Sequence, residues 1–379
     1  MSAPPPTSRY AECPPPRAGA AWSVVVSAPV RVADVGGWTD TWFGAPGLVC
    51  HLPVEPGVEV TARLVERTSE TPLVRIVAPS VGVDLALGPN PAVPERHPIL
   101  RHAVGSVLDP DPGLIPDGAA VHLHIDSGIP HGASMGTSAA VEVALLRALD
   151  LLLAGGTRSP LDLAVQAHQV ETVRCGLEAG VQDQWAAAFA EPALLEIGPF
   201  ERAGATPAVI HRPLALAAAT REHLDACLVT VVLGAHDSSA VHRRVIDDPL
   251  TSGHGIDGGR AILSHLADLA RAAAAALRAG DLTGWGGILT ANTDAQAALN
   301  AHLVGPGHHH AIDLARRHGA LGWKVNGAGG SGGSLTALAP DPLAAARLAD
   351  AWRSQDPTWV VPTLRIAPGH QRPGHTTRR

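Results

Sequence analysis

Two acidic side chains, Glu171 and Asp183, stand twelve positions apart, downstream of a run rich in glycine and hydroxyls. That run, Ile129 to Ala140, reads I-P-H-G-A-S-M-G-T-S-A-A and feeds straight into a helical stretch. Gly132 and Gly136 let backbone come close to a ligand, and Ser134, Thr137 and Ser138 offer hydroxyls. The first turn of a helix carries N–H groups with no partner inside the helix, at the positive end of its dipole, so the pattern suits phosphate. Gly and Ser are also the ordinary residues of a strand-to-helix turn, and the chemistry alone leaves both readings open. No Gly-Lys-Ser/Thr follows, which excludes a Walker A loop. Glu171 shares a helical line with Ala164 and Ala167, a small-residue stripe on which a carboxylate approaches neighbouring backbone closely. A solvated helix glutamate is the plain alternative. Asp183, in G-V-Q-D-Q-W, falls on a loop or a fresh helix start, where a first-turn acid is the plain role.

Two further runs carry candidate chemistry. Ser27 to Thr41 reads S-A-P-V-R-V-A-D-V-G-G-W-T-D-T. It places Arg31 at a strand end facing a cleft, and lets Gly36–Gly37 turn the chain to present Thr39 and Asp40. An edge strand with a polar hairpin fits it as well. Lys324 to Thr336 reads K-V-N-G-A-G-G-S-G-G-S-L-T, with five glycines in seven positions between two strands, which on composition could be only a flexible hairpin.

The elements around these runs are legible in outline. Ser23–Val26, Val30–Val32, Val58–Val65 and Leu73–Val77 read as strands, and Ala119–Ile125 alternates, with His122 and His124 opposite Val121, Leu123 and Ile125. Ser159, Pro160 and Asp162 form a helix start, and that helix runs to about Arg174. Later come a strand at Leu228–Leu233 and helices at Ile262–Leu277 and Ile288–Leu303. The order then runs helix Ala311–His318, strand Gly322–Val325, strand Ser334–Leu338 and helix Pro342–Trp352. His308, His309 and His310 read as a solvated loop, because adjacent side chains cannot share one metal face. Trp185 suits either a pocket wall or the core.

Taken together, these runs resemble the motifs of the GHMP kinases. The glycine run resembles P-x-G-x-G-L-G-S-S-A: Pro130, Gly132, Gly136, Ser138 and Ala139 match, while Ser134, Met135 and Thr137 replace Gly, Leu and Ser. Ser27 to Thr41 resembles the first motif in its G-G-x-T-D form, with Trp38 at the variable place, and Lys324 to Thr336 resembles the third, K-x-T-G-A-G-G-G-G. Gly180–Phe189, GVQDQWAAAF, is similar to the corresponding stretch of heptose-phosphate kinases. Gly234–Ala240 departs from the T-G-x-x-R-S-A of heptose and fucose kinases, since Asp237 and Ser238 stand where a base is expected.

The resemblance implies an α+β chain with an N-terminal ribosomal-S5-like domain and a C-terminal ferredoxin-like domain. It implies ATP bound by Pro130, Gly132, Ser134, Gly136, Thr137, Ser138, Ala139, Gly329 and Gly330, and Mg²⁺ held by Ser138 and Glu171. Mg²⁺ is a hard ion suited to one or two carboxylates plus phosphate oxygens. Asp183 would be the catalytic base, with Arg31 beside it, and Thr39, Asp40, Gln182, Asp183 and Gly329 would meet the acceptor. The expected acceptor is a sugar, a sugar phosphate or a sugar-like cyclitol, in the manner of D-glycero-D-manno-heptose 7-phosphate kinases and fucokinases. A GHMP-fold decarboxylase and a sugar-sensing pseudokinase are the rival readings.

The rest of the sequence bounds these expectations. Among 379 residues, 46% are apolar, enough for a large core, but only 3% are aromatic, so Ala, Val and Leu must fill it. The net charge of −7 and the lack of a basic stripe argue against a nucleic-acid partner or an anionic membrane surface. Cys13, Cys50, Cys175 and Cys227 are scattered and read as free thiols. No stretch is apolar enough to span a membrane, and a cytoplasmic monomer or homodimer is expected. Expected boundaries are a flexible leader at 1–20, domains at 21–212 and 213–366, and a flexible tail at 367–379.

Overall fold

The structure is a computed structural model that describes residues 22–87, 97–202, 204–236, 238–247, 255–369 and 377–378. The expected leader lies outside these residues, as do Asp237 and Cys13. In chain order, the first half runs β1 (Trp22–Val35), β2 (Gly47–Glu66), β3 (Val74–Ala78), β4 (Val83–Leu87), α1 (Pro98–Leu108), β5 (Ala119–Ser127), α2 (Thr137–Leu153), α3 (Pro160–Gln169), α4 (Gln182–Phe189), β6 (Ala193–Ile197) and β7 (Val209–Pro213). It continues through α5 (Ala218–Cys227), β8 (Leu228–Gly234), α6 (Ser238–Asp247), α7 (Gly255–Ala279), α8 (Leu282–Leu299), α9 (Pro306–Arg317), β9 (Gly322–Val325), β10 (Gly333–Leu338), α10 (Pro342–Gln355), β11 (Arg365–Ile366) and β12 (Thr377–Arg378). The chain is thus α+β, with one large mixed sheet and one small sheet.

The large sheet follows the order β12-β1-β2-β5-β3-β4, with β6 and β11 joined along β2 and β7 paired to β6. Only the β3–β5 pair is parallel among the described ladders. Strand β5 shows why the sheet has one buried face: Val121, Leu123 and Ile125 are buried, while His122 and His124 point away. Helix α2 packs across β1 and β2, and it is buried nearly all round because α1, α3 and α4 close over it. The small antiparallel sheet, β8-β10-β9, carries its own core with Trp352 at 0% exposure.

Several expectations are redrawn. Ser23–Val26 and Val30–Val32 are parts of one strand: β1 runs on past Pro29 with a register shift between Ala28 and Val30, where a missing N–H costs no ladder bond. The helix begun by the Ser159–Asp162 capping box turns π-helical over Val170–Arg174. His308–His310 are not a loop but the first turn of α9, with His308 buried and its Nδ1 accepting from Gly305 N–H. In the segment expected to be a flexible tail, Thr377–Arg378 pairs with Trp22–Ser23. Trp185 belongs to the core, packed with Val49, Ala164 and Leu195.

Candidate active site

The glycine loop spans the gap between β5 and α2, and it is shaped by three residues of left-handed backbone. Gly132, Ser134 and Gly136 have φ of 74°, 56° and 71°. Met135 O accepts the Arg31 N–H at 2.9 Å, which ties the loop to β1. Gly136 is the N-cap of α2 and supplies no side-chain cap, so the helix start presents backbone N–H groups and positive dipole to the cleft. The fit at Gly136 is close: a Cβ there would stand 3.0 Å from Asp183 Cγ.

Opposite the helix start lies a buried charge cluster. Arg31, 3% exposed, donates from Nε to Asp183 Oδ1 at 2.8 Å and from Nη1 to Ser134 O at 2.5 Å. It also stands 3.7 Å from Asp34. Burial works against its charge, but Asp183 and Asp34 outweigh that and raise its pKa. Asp34, although buried, is held below the usual carboxylate range by Arg31, Lys324 and the Gly327 N–H. Burial takes Lys324 down to about 8, against the pull of Asp34. Asp40 Oδ2 accepts the Gln182 N–H at 3.0 Å, and burial pushes its carboxyl up to about 6.

Glu171 sits in the π-helical turn, 9% exposed, and Gln184 donates to its Oε2 at 2.5 Å. Burial, then the nearby Asp183, push it up to about 8. One turn along α2 from Ser138, Glu142 is fully buried and held well above its ordinary value by burial and by Glu171. A dication would relieve Glu171 of this cost, and Ser138 lines the same cleft. Two more oxygens on the cleft wall, Thr137 Oγ1 and Gln184 Oε1, are buried with no hydrogen-bond partner among the described residues. The donor set is therefore all oxygen, as Mg²⁺ requires. Among the described residues no group of three or more His, Cys, Asp or Glu could hold a metal, so a dication here would draw its remaining ligands from phosphate and water.

The helix start, the glycine loop and part of the charge cluster open onto one cleft of about 700 Å³. It brings together Arg31, Asp40, Gly132, Ser134, Gly136, Thr137, Ser138, Ala139, Glu171, Gln182 and Asp183. Four expected contacts lie elsewhere. Thr39 is 1% exposed and spends its hydroxyl on Gly36 O and Leu48 O, fixing the turn that presents Asp40. Pro130 does not line the cleft. Gly329 and Gly330 press instead against Leu303: Gly330 N–H bonds Leu303 O, and a Cβ on Gly329 would stand 2.0 Å from that oxygen. From the closing loop it is Gly327 and Ala328 that face the cleft.

Other lining residues went unread in the sequence, among them Glu178, His236 and His242. The signal for the two histidines was available, since His236 lies inside, and His242 just after, the Gly234–Ala240 segment whose expected basic residue is missing. Trp38, in left-handed backbone at φ 77°, tilts over the His242 ring at 4.9 Å and packs on Leu263 and Leu266.

Two family models match the chain: the GHMP kinases N terminal domain over residues 100–191 and the GHMP kinases C terminal domain over 273–358. No curated protein matches the sequence. Solved structures resemble the fold. A D-glycero-D-manno-heptose 1-phosphate kinase from Bacteriodes thetaiotaomicron superposes with a TM-score of 0.67 at 17% identity, covering 92% of this chain and 96% of that one. The Lactococcus lactis galactokinase complexed with galactose gives 0.66 at 18%, covering 94% and 95%. The Methanococcus jannaschii mevalonate kinase gives 0.68 at 16%, covering 93% and 99%.

Proposed function

This chain belongs to the GHMP kinases, with their N-terminal and C-terminal domains and their fold, and on that premise we propose that it transfers the ATP γ-phosphate to a hydroxyl of a sugar, sugar phosphate or sugar-like cyclitol. The observation that carries the reading is the approach of Asp183 to Gly136. It sets an acid, with Arg31 on its Oδ1, directly against the start of the helix that would receive phosphates. In phosphoryl transfer most of the catalysis is positioning and charge stabilisation, with little covalent work for the protein. Asp183 orients the attacking hydroxyl and takes its proton late. Arg31 holds Asp183 and the Ser134 carbonyl at once, and puts a buried positive charge where negative charge develops.

The α2 N-terminus and the glycine loop hold the phosphates through backbone N–H groups. Glu171 and Ser138 would hold Mg²⁺, which when bound would neutralise phosphate charge. Asp40 and Gln182, joined to one another by a hydrogen bond, face the acceptor. Mevalonate kinases among the structural neighbours keep a non-sugar alcohol in play as the second reading. The test is ADP release, with Mg-ATP and a panel of sugars, sugar phosphates, cyclitols and non-sugar alcohols. Phosphate is then located in the product by NMR, and any CO₂ is trapped to detect a decarboxylase. An acceptor-dependent ADP signal is expected from a polyol of the first three classes. Failure of every class, together with no effect of Mg-ATP on melting, would end the kinase reading.

A further inference from the structure

The segment that follows β8 reaches back across the cleft onto the glycine loop. His236 Nδ1 lies 3.0 Å from Gly132 O, and the His236 backbone N–H donates to the same carbonyl at 3.3 Å. Its Nε2 lies 2.9 Å from Ser134 Oγ. A carbonyl can only accept, so Nδ1 carries the hydrogen that goes to Gly132 O, and the Ser134 hydroxyl lies against the same ring, 2.9 Å from Nε2 and 3.4 Å from Nδ1.

Ser134 is in left-handed backbone, which costs a non-glycine residue on the order of 1–3 kcal/mol. Its bonds offset that cost: the hydroxyl goes to His236 and the carbonyl takes Arg31 Nη1. The seat is tight from both sides. A Cβ on Gly132 would stand 2.9 Å from His236 N, and one on Gly333 would stand 2.7 Å from Ser134 Oγ. The loop is thus gripped between β1 and a segment of the other half of the chain.

From this geometry we propose that His236 is a positioning residue for the phosphate loop, holding Gly132 and Ser134 so that the Gly136–Ala139 backbone faces the nucleotide. The inference rests on the kinase reading for the identity of the ligand, whereas the grip itself exists in the nucleotide-free chain. The same segment runs on into α6, whose His242 and Arg243 line the cleft, so one stretch of chain touches the nucleotide loop and the cleft wall together.

The experiment uses the full chain and four variants: His236→Gln, His236→Phe, Ser134→Ala, and Ser134→Ala with His236→Phe. Amide hydrogen exchange of residues 131–136 is read without nucleotide, and Mg-ADP binding is read by calorimetry. His236→Phe keeps the ring volume but loses both bonds. It should speed exchange in the loop and weaken Mg-ADP by about tenfold, the scale of one or two hydrogen bonds. His236→Gln keeps a donor and an acceptor and should recover most of the affinity. Ser134→Ala should weaken Mg-ADP alone but add little once His236→Phe is present, because the two act as one unit.

Loop exchange and Mg-ADP affinity unchanged in His236→Phe would overturn the proposal. So would a Gln variant worse than the Phe variant, since that is the pattern of a space-filling ring. Wild type that binds no Mg-ADP would instead sink the kinase reading, and the exchange data would still decide whether His236 holds the loop.

Discussion

Asp183 and Asp40 both face the cleft, yet their surroundings set them apart. Asp183 has the Arg31 guanidinium on Oδ1, so its work is to hold and orient, with the proton moving only as the hydroxyl oxygen bonds to phosphorus. Asp183→Asn keeps the shape and loses the charge. It should leave folding and Mg-ATP binding intact and lower kcat by roughly 10²–10⁴. Near-normal turnover in a folded variant would remove Asp183 from the reaction. Asp40 forms no ion pair among the described residues and is pushed up to about 6 mainly by burial. An acid with a raised folded value is bound to its proton in the folded state when the unfolded chain has already released it. Stability is therefore lost as pH rises from near 3.8 to about 6 and is level above that. The loss is on the order of 3 kcal/mol at most. Asp40→Asn still accepts the Gln182 N–H and has no charge to bury, so its stability relative to wild type should climb between pH 4 and 6.5. Urea unfolding at several pH values reads this directly, and a flat difference would mean that Asp40 is already solvated as a carboxylate.

At the scale of elements, the start of α2 decides whether the cleft is a nucleotide site or a plain turn. Gly136 has positive φ and faces Asp183 at contact distance, so a side chain there is strained by its backbone and by its neighbour. Gly136→Val should abolish the upward melting shift that Mg-ATP gives wild type, which is roughly 2.7 kcal/mol at a hundredfold excess over Kd. Thr137→Ser should retain the shift. Equal shifts in wild type and Gly136→Val would put the phosphates elsewhere. The elements that could be read in the sequence were those with a local cause. The alternation of β5, the Ser159–Asp162 cap and the glycine run before α2 each carry their signal within a few residues. What stayed hidden depends on distant partners. The π-helical turn that turns Glu171 toward the cleft has no short-range signature. Gly329 and Gly330 match a phosphate-binding pattern, yet the Gly330 N–H goes to Leu303 O, more than twenty positions away and brought near only by folding, and the Gly329 N–H goes to Asn326 O. Thr39 matched its motif for a similar reason: it builds the turn that presents Asp40 and does not itself meet the cleft.

Across the whole molecule, the large sheet and the closing glycine loop meet through buried polar groups. Both Asp34 oxygens accept the Gly327 N–H at 3.0 Å, Lys324 stands 3.9 Å from Asp34, and Arg31 stands 3.7 Å from it on the other side. Neighbouring amides continue the seam: Asn326 Oδ1 accepts the Ala33 N–H, Asn292 Oδ1 accepts the Gly36 N–H, and Gln296 Nε2 donates to Gly327 O. Asp34 therefore sits between two buried cations and couples β1 to the loop after β9. This centre holds Arg31, and through it Asp183, so the catalytic geometry depends on how the two halves of the chain are joined. Asp34→Asn keeps an acceptor for Gly327 but leaves Arg31 and Lys324 facing each other with one negative charge fewer. Breaking a buried pair in this way typically costs about 3–5 kcal/mol. Lys324→Met in the same chain removes one of the stranded cations, so the double variant should be more stable than the sum of the two single losses predicts. The size of that non-additivity is the coupling between the halves. Urea unfolding followed by tryptophan fluorescence and by far-ultraviolet circular dichroism measures it. If Asp34 joins the halves, wild type should show one shared transition, and Asp34→Asn should shift that transition to lower urea in both signals. Strict additivity of the Asp34 and Lys324 losses would mean that the two charges do not interact. The seam would then rest on the Gly327 N–H bond to Asp34 and the amide bonds of Asn292, Gln296 and Asn326, without that charge pair.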